Sequence, residues 1–306
     1  MKILVLDESA DEYVHCVAEK ETREYTFVTS PDDAGDSYDV LLAQPDFAAA
    51  YLRGGGKVDW IQSTWAGVAP VLTLAEISDI KLTGVKEIFG GQIAEYVFAY
   101  LLAAGRRIEQ LRSHQSAREW SPIWPDSLTG KTMVILGTGS IGSHVARIAR
   151  AFSVRTVGVS RSGRPVRDFD DVHPVSQLAR VVPMADVLLI ALPGTDETAG
   201  LVDHKLLSLL KSDVTLINVG RGSVVDEAAL AEALQAGRLQ HAVLDVFQTE
   251  PLPRDSPLWR VPGAVITPHI AAVSYPVDVA AVFNENLDRY EHGDSLLYLV
   301  DPGRGY

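Results

Sequence analysis

The sequence predicts an α/β protein with two doubly wound parallel-sheet domains, one after the other along the chain. Short apolar segments of strand length alternate with longer helical or irregular segments, which is typical of parallel sheets covered on both faces. A glycine-rich turn stands at residues 137–142, nearly halfway along the 306 residues, so a separate domain precedes it. This length suits two domains of ordinary size.

The first domain is predicted from four apolar segments. They lie at residues 2–6, 40–43, 60–63 and 81–83. The stretch after the first of them, Asp7-Glu8-Ser9-Ala10, is acidic and lacks the glycines that bind phosphate groups. We therefore interpret this part as a smaller flavodoxin-like domain. A long helix with one apolar face is expected to follow, from about Gln92 to Ser113, as the crossover between the domains.

The second domain is identified by the glycine-rich turn. An apolar strand precedes the turn and a helical pattern follows it, and in that context Gly-x-Gly-x-x-Gly is a dinucleotide-binding fingerprint. Gly137 allows the tight turn, Gly139 lets the backbone approach a pyrophosphate, and Gly142 lets the helix pack on the strand. Ser140 and Ile141 open the helix, whose positive end attracts phosphate. A glycine-rich turn in a nucleotide-free fold of the same class is the alternative.

Six strand segments from residue 131 onward match a complete Rossmann domain. They span residues 132–136, 155–159, 187–191, 214–218, 241–245 and 264–267. A last helix, from about Pro276 to His292, lies beyond the sixth strand and is expected to return to the first domain. The predicted domains are therefore a substrate domain, residues 1–97 with 275–306, and a dinucleotide-binding domain, residues 98–274. The active cleft is expected between them.

The composition narrows the classes of partner. The 27 basic and 40 acidic residues give a net charge of −13 and a pI near 5.0, which argues against nucleic acid or an anionic membrane surface. Cys16 is the single cysteine, so no intrachain disulfide and no cysteine-based zinc cluster can form, and no metal site is expected. The sequence shows neither a signal-peptide pattern nor an apolar run of membrane-spanning length, so a cytoplasmic protein is expected.

Three strand ends of the second domain carry residues suited to catalysis. Arg221 follows the fourth strand between two glycines, and its planar fork can hold a carboxylate and a keto oxygen. His269 follows the sixth strand and is a candidate acid or base. Glu250 follows the fifth strand, where a carboxylate would orient the imidazole and favour its protonated form.

Each of these residues also has a plainer interpretation when it is taken alone. The arginine and the glutamate could be solvated loop residues, and the histidine could be buried and satisfied. Together, on three strand ends beside a dinucleotide site, they favour hydride chemistry. Reduction of a 2-oxo acid needs a hydride at carbon, a proton at oxygen and a charge clamp, and these residue types supply the last two.

The chain resembles the D-isomer-specific 2-hydroxyacid dehydrogenases over nearly its whole length, most strongly from Leu128 to Ser274. The motifs that carry the resemblance are Leu-Thr-Gly-Lys-Thr at 128–132, Gly-Thr-Gly-Ser-Ile-Gly at 137–142, Leu-Pro-Gly-Thr-Asp-Glu-Thr at 192–198, Ile-Asn-Val-Gly-Arg-Gly at 217–222, Leu-Asp-Val-Phe-Gln-Thr-Glu-Pro-Leu-Pro at 244–253 and Thr-Pro-His-Ile-Ala-Ala at 267–272. In combination these motifs are highly specific.

The resemblance implies a role for each matching residue. By it, Arg221 orients the substrate, His269 transfers the proton and Glu250 supports the histidine. Asp245 holds the nicotinamide carboxamide. The cofactor site further includes Leu192, Pro193, Val219 and Gly220. The family also implies a homodimer, with the helix at 92–113 as a contact.

A segment of the first domain, Ser63-Thr64-Trp65-Ala66-Gly67-Val68, resembles the family's substrate loop, whose backbone amides hold the substrate carboxylate. Trp65, Ala66 and Gly67 are thus candidate substrate residues. Trp65 is expected to wall the pocket, with a core tryptophan as the alternative. This loop and the residues after His269 are most similar to the glyoxylate/hydroxypyruvate reductase-like branch. That branch often has a basic residue where this chain has Tyr275, so the resemblance does not fix the 2-oxo acid.

The choice of cofactor is expected to depend on a residue about 20 positions beyond the fingerprint. The segment there reads Ser160-Arg161-Ser162-Gly163-Arg164 and contains no acidic residue. An acidic side chain would bind the ribose hydroxyl of NAD and repel a 2′-phosphate, whereas Arg161, with Ser160 and Ser162, favours the phosphate. NADP(H) is therefore predicted, with NAD as the weaker alternative. A solvated surface loop is the plainer interpretation of this segment.

The sequence thus predicts an NADPH-dependent reductase that converts a small 2-oxo acid, of the glyoxylate or hydroxypyruvate kind, reversibly into the D-2-hydroxy acid. An NAD-linked D-2-hydroxyacid dehydrogenase is the nearest alternative. A dinucleotide-sensing regulatory protein is a further alternative, since a corepressor branch of this fold keeps the same arginine, glutamate and histidine. Turnover of a 2-oxo acid distinguishes the enzymes from the sensor.

Overall fold

The computed structural model describes residues 1–74, 77, 79–301 and 303, and it confirms an α/β fold with two parallel sheets. The chain divides into two compact units. The first unit comprises Met1–Ile88 and Ser274–Tyr306, and the second unit comprises Phe89–Val273.

The first unit is built on a five-stranded parallel sheet. Its elements in chain order are β1 (Lys2–Leu6), α1 (Ala10–Tyr13), β2 (Glu24–Val28), β3 (Val40–Ala43), α2 (Pro45–Arg53), β4 (Trp60–Ser63), α3 (Ala69–Leu72) and β5 (Lys81–Thr83). The strand order β2-β1-β3-β4-β5 is that of a flavodoxin-like sheet. The four predicted strands are present. The hydrophobic pattern missed β2, because this edge strand is only partly buried and has no continuous apolar run.

The second unit contains a seven-stranded parallel sheet. Its elements are α4 (Gly90–Gly105), α5 (Ile108–Ala117), β6 (Thr132–Leu136), α6 (Ser140–Ala151), β7 (Arg155–Ser160), β8 (Asp171–Pro174), α7 (Leu178–Val181), β9 (Val187–Ile190), α8 (His204–Leu207), β10 (Thr215–Asn218), α9 (Glu227–Gln235), β11 (His241–Leu244) and β12 (Ala264–Ile266). The order β12-β11-β10-β9-β6-β7-β8 contains the Rossmann arrangement. The six predicted strands are present. The seventh, β8, is a polar edge strand that the pattern missed.

The long helix predicted over residues 92–113 is two helices, α4 and α5. Arg107 separates them with φ +57°, a left-handed conformation that ends the hydrogen-bonded spiral. The boundary predicted after residue 97 falls inside α4, which the structure assigns whole to the second unit. Gly90 lets α4 approach α6 closely, because a Cβ there would lie 2.8 Å from the Cβ of His144.

The last helix, α10 (Pro276–His292), has the predicted bounds and belongs to the first unit. Its buried Asn286 donates from Nδ2 to Oε1 of Gln62, at 2.9 Å. Ion pairs stabilise its C-terminal end, where Asp288 and Glu291 each bond Lys20 and Arg23. The hydrogen bond from Arg23 lowers the pKa of Glu291 to about 2, although burial opposes it.

The chain enters and leaves the second unit at one place. Gln92, in the first turn of α4, donates from Nε2 to the carbonyl oxygen of Val273 and accepts the Val273 N–H on Oε1, each at 2.9 Å. The two ends of this unit are therefore bonded to each other. None of the helices in the described part of the chain combines the length and apolar composition needed to cross a membrane.

Candidate active site

The turn between β6 and α6 has the shape that its glycines require. Gly137 has φ +108°, and a Cβ there would lie 2.5 Å from the carbonyl oxygen of Ala191. A Cβ on Gly142 would collide with the carbonyl oxygen of Gly137. A Cβ on Gly139, by contrast, would meet nothing within 4 Å. Protein atoms therefore fill the space beside Gly137 and Gly142, whereas the space beside Gly139 is open.

The open side of this turn suits a pyrophosphate. Gly139 precedes α6, a helix of 12 residues that begins with Ser140 and Ile141. The N–H groups in the first turn of a helix have no partner within the helix, and its N-terminal end is partially positive. Both features favour an anionic group in the space that a side chain at position 139 would fill. The residues at this turn therefore fit a bound dinucleotide.

Two further loops reach the same edge of the sheet. Leu192 and Pro193 follow β9, which is the neighbour of β6, and Val219 and Gly220 follow β10, one strand further along. A Cβ on Gly220 would lie 2.6 Å from the carbonyl oxygen of Leu192, so the two loops pack directly on each other. The sheet thus brings all four residues to the edge where the glycine turn lies.

The residues predicted to select the cofactor lie at the end of β7, on the other side of β6. Ser160 accepts the N–H of Gly163 on Oγ at 3.1 Å, and Ser162 accepts the N–H of Arg164 at 3.4 Å. Arg161 is 64% exposed, and its Nε lies 3.8 Å from Oε2 of Glu197. An arginine and two hydroxyls therefore stand at this strand end, together with a carboxylate that comes from a different loop.

His269 and Glu250 form a direct pair. Nδ1 of His269 lies 2.7 Å from Oε2 of Glu250, and Oε1 of Glu250 accepts the N–H of Phe247 at 2.8 Å. A carboxylate only accepts hydrogen bonds, so Nδ1 carries the hydrogen and Nε2 is left for another partner. The His269 side chain is 47% exposed, which excludes the alternative of a buried histidine.

The backbone of His269 is held in an unusual conformation by Asp245. His269 has φ +56°, a region that residues other than glycine seldom occupy. The His269 N–H donates to the carbonyl oxygen of Asp245 at 2.9 Å. The buried Asp245 carboxylate accepts the N–H groups of Ile270 and Ala271 at 2.8 and 2.9 Å. Asp245 therefore fixes the turn that carries His269.

A residue that the sequence did not reveal extends this network. Thr267 donates its hydroxyl to Asp245, and the hydroxyl of Tyr96, on α4, lies 2.7 Å from that of Thr267. Burial raises the pKa of Tyr96 above its usual range, so the phenol stays neutral and can donate. Tyr96 stands in a helix whose pattern is explained by packing, and no local signal marks it.

Arg221 is positioned by the turn after β10. The buried Asn218 donates from Nδ2 to the carbonyl oxygen of Arg221 and accepts the N–H of Gly220, each at 3.1 Å. Burial lowers the pKa of Arg221, and the negative charge of Glu250 offsets part of that change. Arg221 thus feels the charge of Glu250, which bonds His269, and these three residues form the candidate catalytic cluster. The sequence offers one signal for Asn218, because its amide side chain stands at the end of an otherwise largely apolar strand.

The predicted substrate loop follows β4 in the first unit. Oγ of Ser63 accepts the N–H of Trp65 at 3.1 Å and donates to its carbonyl oxygen at 2.8 Å, which folds the loop back on itself. Trp65 is 47% exposed and is not a core tryptophan. The N–H groups of Ala66 and Gly67 have no acceptor among the residues that the structure describes. Neighbouring free amides of this kind suit an anion.

A buried carboxylate supports the start of this loop. Asp7, at the end of β1, accepts the hydroxyl of Thr64 at 3.1 Å and the N–H of Ser9 at 3.0 Å. Burial raises the pKa of Asp7, and the nearby Glu8 and Glu12 raise it further. The sequence marked this stretch as unsuited to phosphate, but it gave no sign of the contact with Thr64.

Comparison with known proteins agrees with this geometry. A family model for the NAD binding domain of D-isomer specific 2-hydroxyacid dehydrogenases matches residues 98–271. A D-isomer specific 2-hydroxyacid dehydrogenase family protein from Aeromonas salmonicida subsp. salmonicida A449 is 38% identical, with a TM-score of 0.94 over 98% of this chain and 99% of that one.

Two more distant structures were solved with a cofactor. An NADPH-dependent glyoxylate/hydroxypyruvate reductase from Sinorhizobium meliloti, in complex with NADP and sulfate, is 27% identical, with a TM-score of 0.87 over 100% of this chain and 99% of that one. A D-isomer specific 2-hydroxyacid dehydrogenase from Xanthobacter autotrophicus Py2, in complex with NADPH and MES, is 26% identical, with a TM-score of 0.85 over 99% of each chain.

Proposed function

Because the chain belongs to the D-isomer specific 2-hydroxyacid dehydrogenase family, and is thus an NAD(P)-dependent oxidoreductase, we propose that it reduces a small 2-oxo acid to the D-2-hydroxy acid with NADPH. The substrate is of the glyoxylate or hydroxypyruvate class, and the reaction is reversible. The observation that carries the proposal is the 2.7 Å pair of His269 and Glu250, in one cluster with Arg221. The Sinorhizobium meliloti relative is itself a glyoxylate/hydroxypyruvate reductase.

Each residue of the cluster has a part in the proposed reaction. The bound dinucleotide supplies the hydride that the carbonyl carbon accepts. His269 donates a proton to the keto oxygen from Nε2, the nitrogen that its bond to Glu250 leaves available. Glu250 accepts the Nδ1 hydrogen and so orients the imidazole with Nε2 as the proton donor. Arg221 binds the substrate through its planar fork.

The remaining predicted residues bind the substrate carboxylate and the cofactor. The free amides of Ala66 and Gly67 hold the carboxylate, with Trp65 beside them. In the second unit, Asp245 lies at the nicotinamide end. The dinucleotide rests on Gly137, Gly139, Ser140, Ile141 and Gly142, and is bordered by Leu192, Pro193, Val219 and Gly220.

We assign the preference for NADPH to the end of β7. Arg161 supplies a cation for the 2′-phosphate, and Ser160 and Ser162 supply hydroxyls. No acidic residue stands among residues 160–164 to bind the ribose hydroxyl of NADH in its place. The structures from Xanthobacter autotrophicus and Sinorhizobium meliloti contain NADPH and NADP, which supports this assignment.

We further propose a homodimer that covers α5 and the residues after it. All side chains of α5 are at least partly exposed, and Leu111, Trp120 and Trp124 are exposed apolar groups on this stretch. An exposed apolar patch of this kind marks an association surface. Light scattering should show that Trp120→Ala/Trp124→Ala is monomeric and that wild type is dimeric. Trp259→Ala, which removes an exposed tryptophan elsewhere, should remain dimeric.

No other macromolecular partner is proposed, and the protein is placed in the cytoplasm. The net charge of −13 disfavours nucleic acid and anionic membranes. The single cysteine, Cys16, suits a reducing compartment, where disulfides seldom persist.

A panel of initial rates tests the function. Glyoxylate, hydroxypyruvate and larger 2-oxo acids are each assayed with NADPH and with NADH. The proposal predicts the highest kcat/KM for a small 2-oxo acid with NADPH. Equal rates with NADH would favour the NAD-linked alternative, and no turnover of any 2-oxo acid would contradict the proposed reaction.

A further inference from the structure

Arg161 and Glu197 approach each other across the strand that carries the glycine turn. Arg161 follows β7 and Glu197 lies in the loop after β9, and both of these strands pair with β6. Adjacent strands are about 4.8 Å apart, so the two loops start roughly 10 Å from each other. The side chains nevertheless meet, with Nε of Arg161 3.8 Å from Oε2 of Glu197. The pair therefore spans the carboxyl end of β6.

The loop that presents Glu197 is a defined turn. The hydroxyl of Thr198 donates to the carbonyl oxygen of Pro193 at 2.6 Å and accepts the N–H of Thr195 at 2.9 Å. The backbone N–H of Ala199 also bonds the Thr195 carbonyl at 2.9 Å. Glu197 thus stands on a fixed backbone, and its side chain is 73% exposed.

The position of this pair matters for a phosphate at the end of β7. The 2′-phosphate of NADPH is dianionic near neutral pH and needs the guanidinium of Arg161. Glu197 offers the same guanidinium a carboxylate, and its charge repels the phosphate. NADH carries no 2′-phosphate, so it meets neither effect. We propose that Glu197 competes with the 2′-phosphate for Arg161 and thereby limits the preference for NADPH over NADH; this rests on the proposed function.

The expected effect is moderate, because ion pairs between exposed side chains are weak. We expect Glu197→Gln to lower the Kd for NADPH about three- to fivefold and to leave the Kd for NADH within about twofold of wild type. Asp196 lies in the same turn and forms no ion pair among the described residues. Asp196→Asn removes one negative charge at nearly the same place and is the matched control.

The test is a fluorescence titration of each cofactor into wild type, Glu197→Gln, Asp196→Asn, Arg161→Ala and the double variant Arg161→Ala/Glu197→Gln. The gain in NADPH affinity should be larger for Glu197→Gln than for Asp196→Asn. It should fall below about twofold when Arg161 is already alanine, because the group for which Glu197 competes is then gone. The side chains of Arg161 and Glu197 are both exposed, so variants at these positions are expected to fold normally.

The outcomes separate this inference from the function on which it rests. If NADPH binds more tightly than NADH and depends on Arg161, but Glu197→Gln leaves the ratio of the two Kd values unchanged, the competition is wrong and the proposed function stands. An equal gain for both cofactors, or the same gain in the Arg161→Ala background, also overturns it. If wild type binds both cofactors equally, the proposed NADPH preference fails. The competition then stands only if Glu197→Gln tightens NADPH binding selectively, and it is wrong if Glu197→Gln does not.

Discussion

The two units carry parallel sheets of related order, but the turns after their first strands have opposite chemistry. In the second unit, β6 runs into a glycine turn that is open at Gly139 and into the 12 residues of α6. In the first unit, β1 runs into the buried carboxylate of Asp7 and into α1, which has four residues. One turn suits a phosphate and the other repels it. The comparison teaches that the residues of this turn, and not the sheet, decide which domain holds the cofactor.

The proposed proton donor, His269, also belongs to the second unit, and His269→Asn has the largest expected effect. We expect kcat/KM for the 2-oxo acid to fall about 10²–10⁴-fold, because asparagine cannot deliver a proton to the keto oxygen. The Kd for NADPH should stay near the wild-type value, since His269 is not among the residues assigned to the dinucleotide. Initial rates at saturating NADPH and a cofactor titration measure the two effects. Near-wild-type turnover at every pH would remove His269 from its role.

Gly139→Ala tests the open side of the glycine turn. The added Cβ meets no protein atom within 4 Å, so the melting temperature should stay close to that of wild type. It would occupy the space assigned to the pyrophosphate, and the Kd for NADPH and NADH should each rise about tenfold or more, or at least about 1.4 kcal/mol. Thermal unfolding without cofactor and titration of both cofactors check this. Unchanged binding would show that the pyrophosphate does not approach Gly139.

Ion pairs at the end of α10 stabilise the first unit, and Glu291→Gln tests this. Its pKa of about 2 lies below the ordinary 4.5, so the ion pairs stabilise the fold fully above pH 4.5 and lose their effect as the pH falls towards 2. We expect Glu291→Gln to lower the free energy of unfolding by about 1–2 kcal/mol at pH 7, and the difference from wild type to vanish near pH 2. Urea unfolding at several pH values measures it.

A control for this prediction lies on the same helix. Glu285 pairs with Arg289 one turn away, and the Glu285 side chain is 52% exposed. Glu285→Gln should change the free energy of unfolding by less than about 0.5 kcal/mol. A loss as large as that of Glu291→Gln would mean that any ion pair on this helix has this effect, and not the bonds to Arg23 in particular.

Asp7→Asn is expected to have the smallest effect, and in the opposite direction. Burial raises the pKa of Asp7, so the unfolded chain loses this proton at lower pH than the folded chain, and ionised Asp7 destabilises the fold as the pH rises above 3.8. Asparagine should therefore raise the free energy of unfolding by about 1 kcal/mol or less at pH 7, with no gain below about pH 3.8. Thermal unfolding measures it, with exposed Glu8→Gln as the control. A loss of stability at pH 7 would contradict the argument.

The sequence predicted the buried parts of the fold better than its edges. A buried parallel strand is a short apolar run, and every run that we predict as a strand is a strand in the structure. The edge strands β2 and β8 keep polar residues and are at most partly buried, so the same criterion missed them, although it found the edge strands β5 and β12. The break at Arg107 was also invisible, because the apolar periodicity continues across it.

The contacts of the candidate site, too, could be predicted only in part from the sequence. His269 and Glu250 could be predicted to meet because they follow neighbouring strands, and parallel strands end at the same edge. Tyr96 reaches Thr267 from a helix that is distant in sequence. Glu197 reaches Arg161 from a loop beyond an intervening strand. Contacts of these two kinds depend on side-chain reach in three dimensions, which one sequence does not encode locally.

The double hydrogen bond between Gln92 and Val273 has a consequence for protein engineering. These bonds join α4, the first helix of the second unit, to Val273, the last residue of that unit. The second unit is therefore one continuous segment, inserted into the sequence of the first unit, whose two ends meet. Exchange of this segment for that of a relative needs two cuts, between residues 88 and 89 and between residues 273 and 274. Because the ends already meet, no linker has to bridge a gap. A chimaera built in this way could pair the substrate loop of one enzyme with the cofactor preference of another.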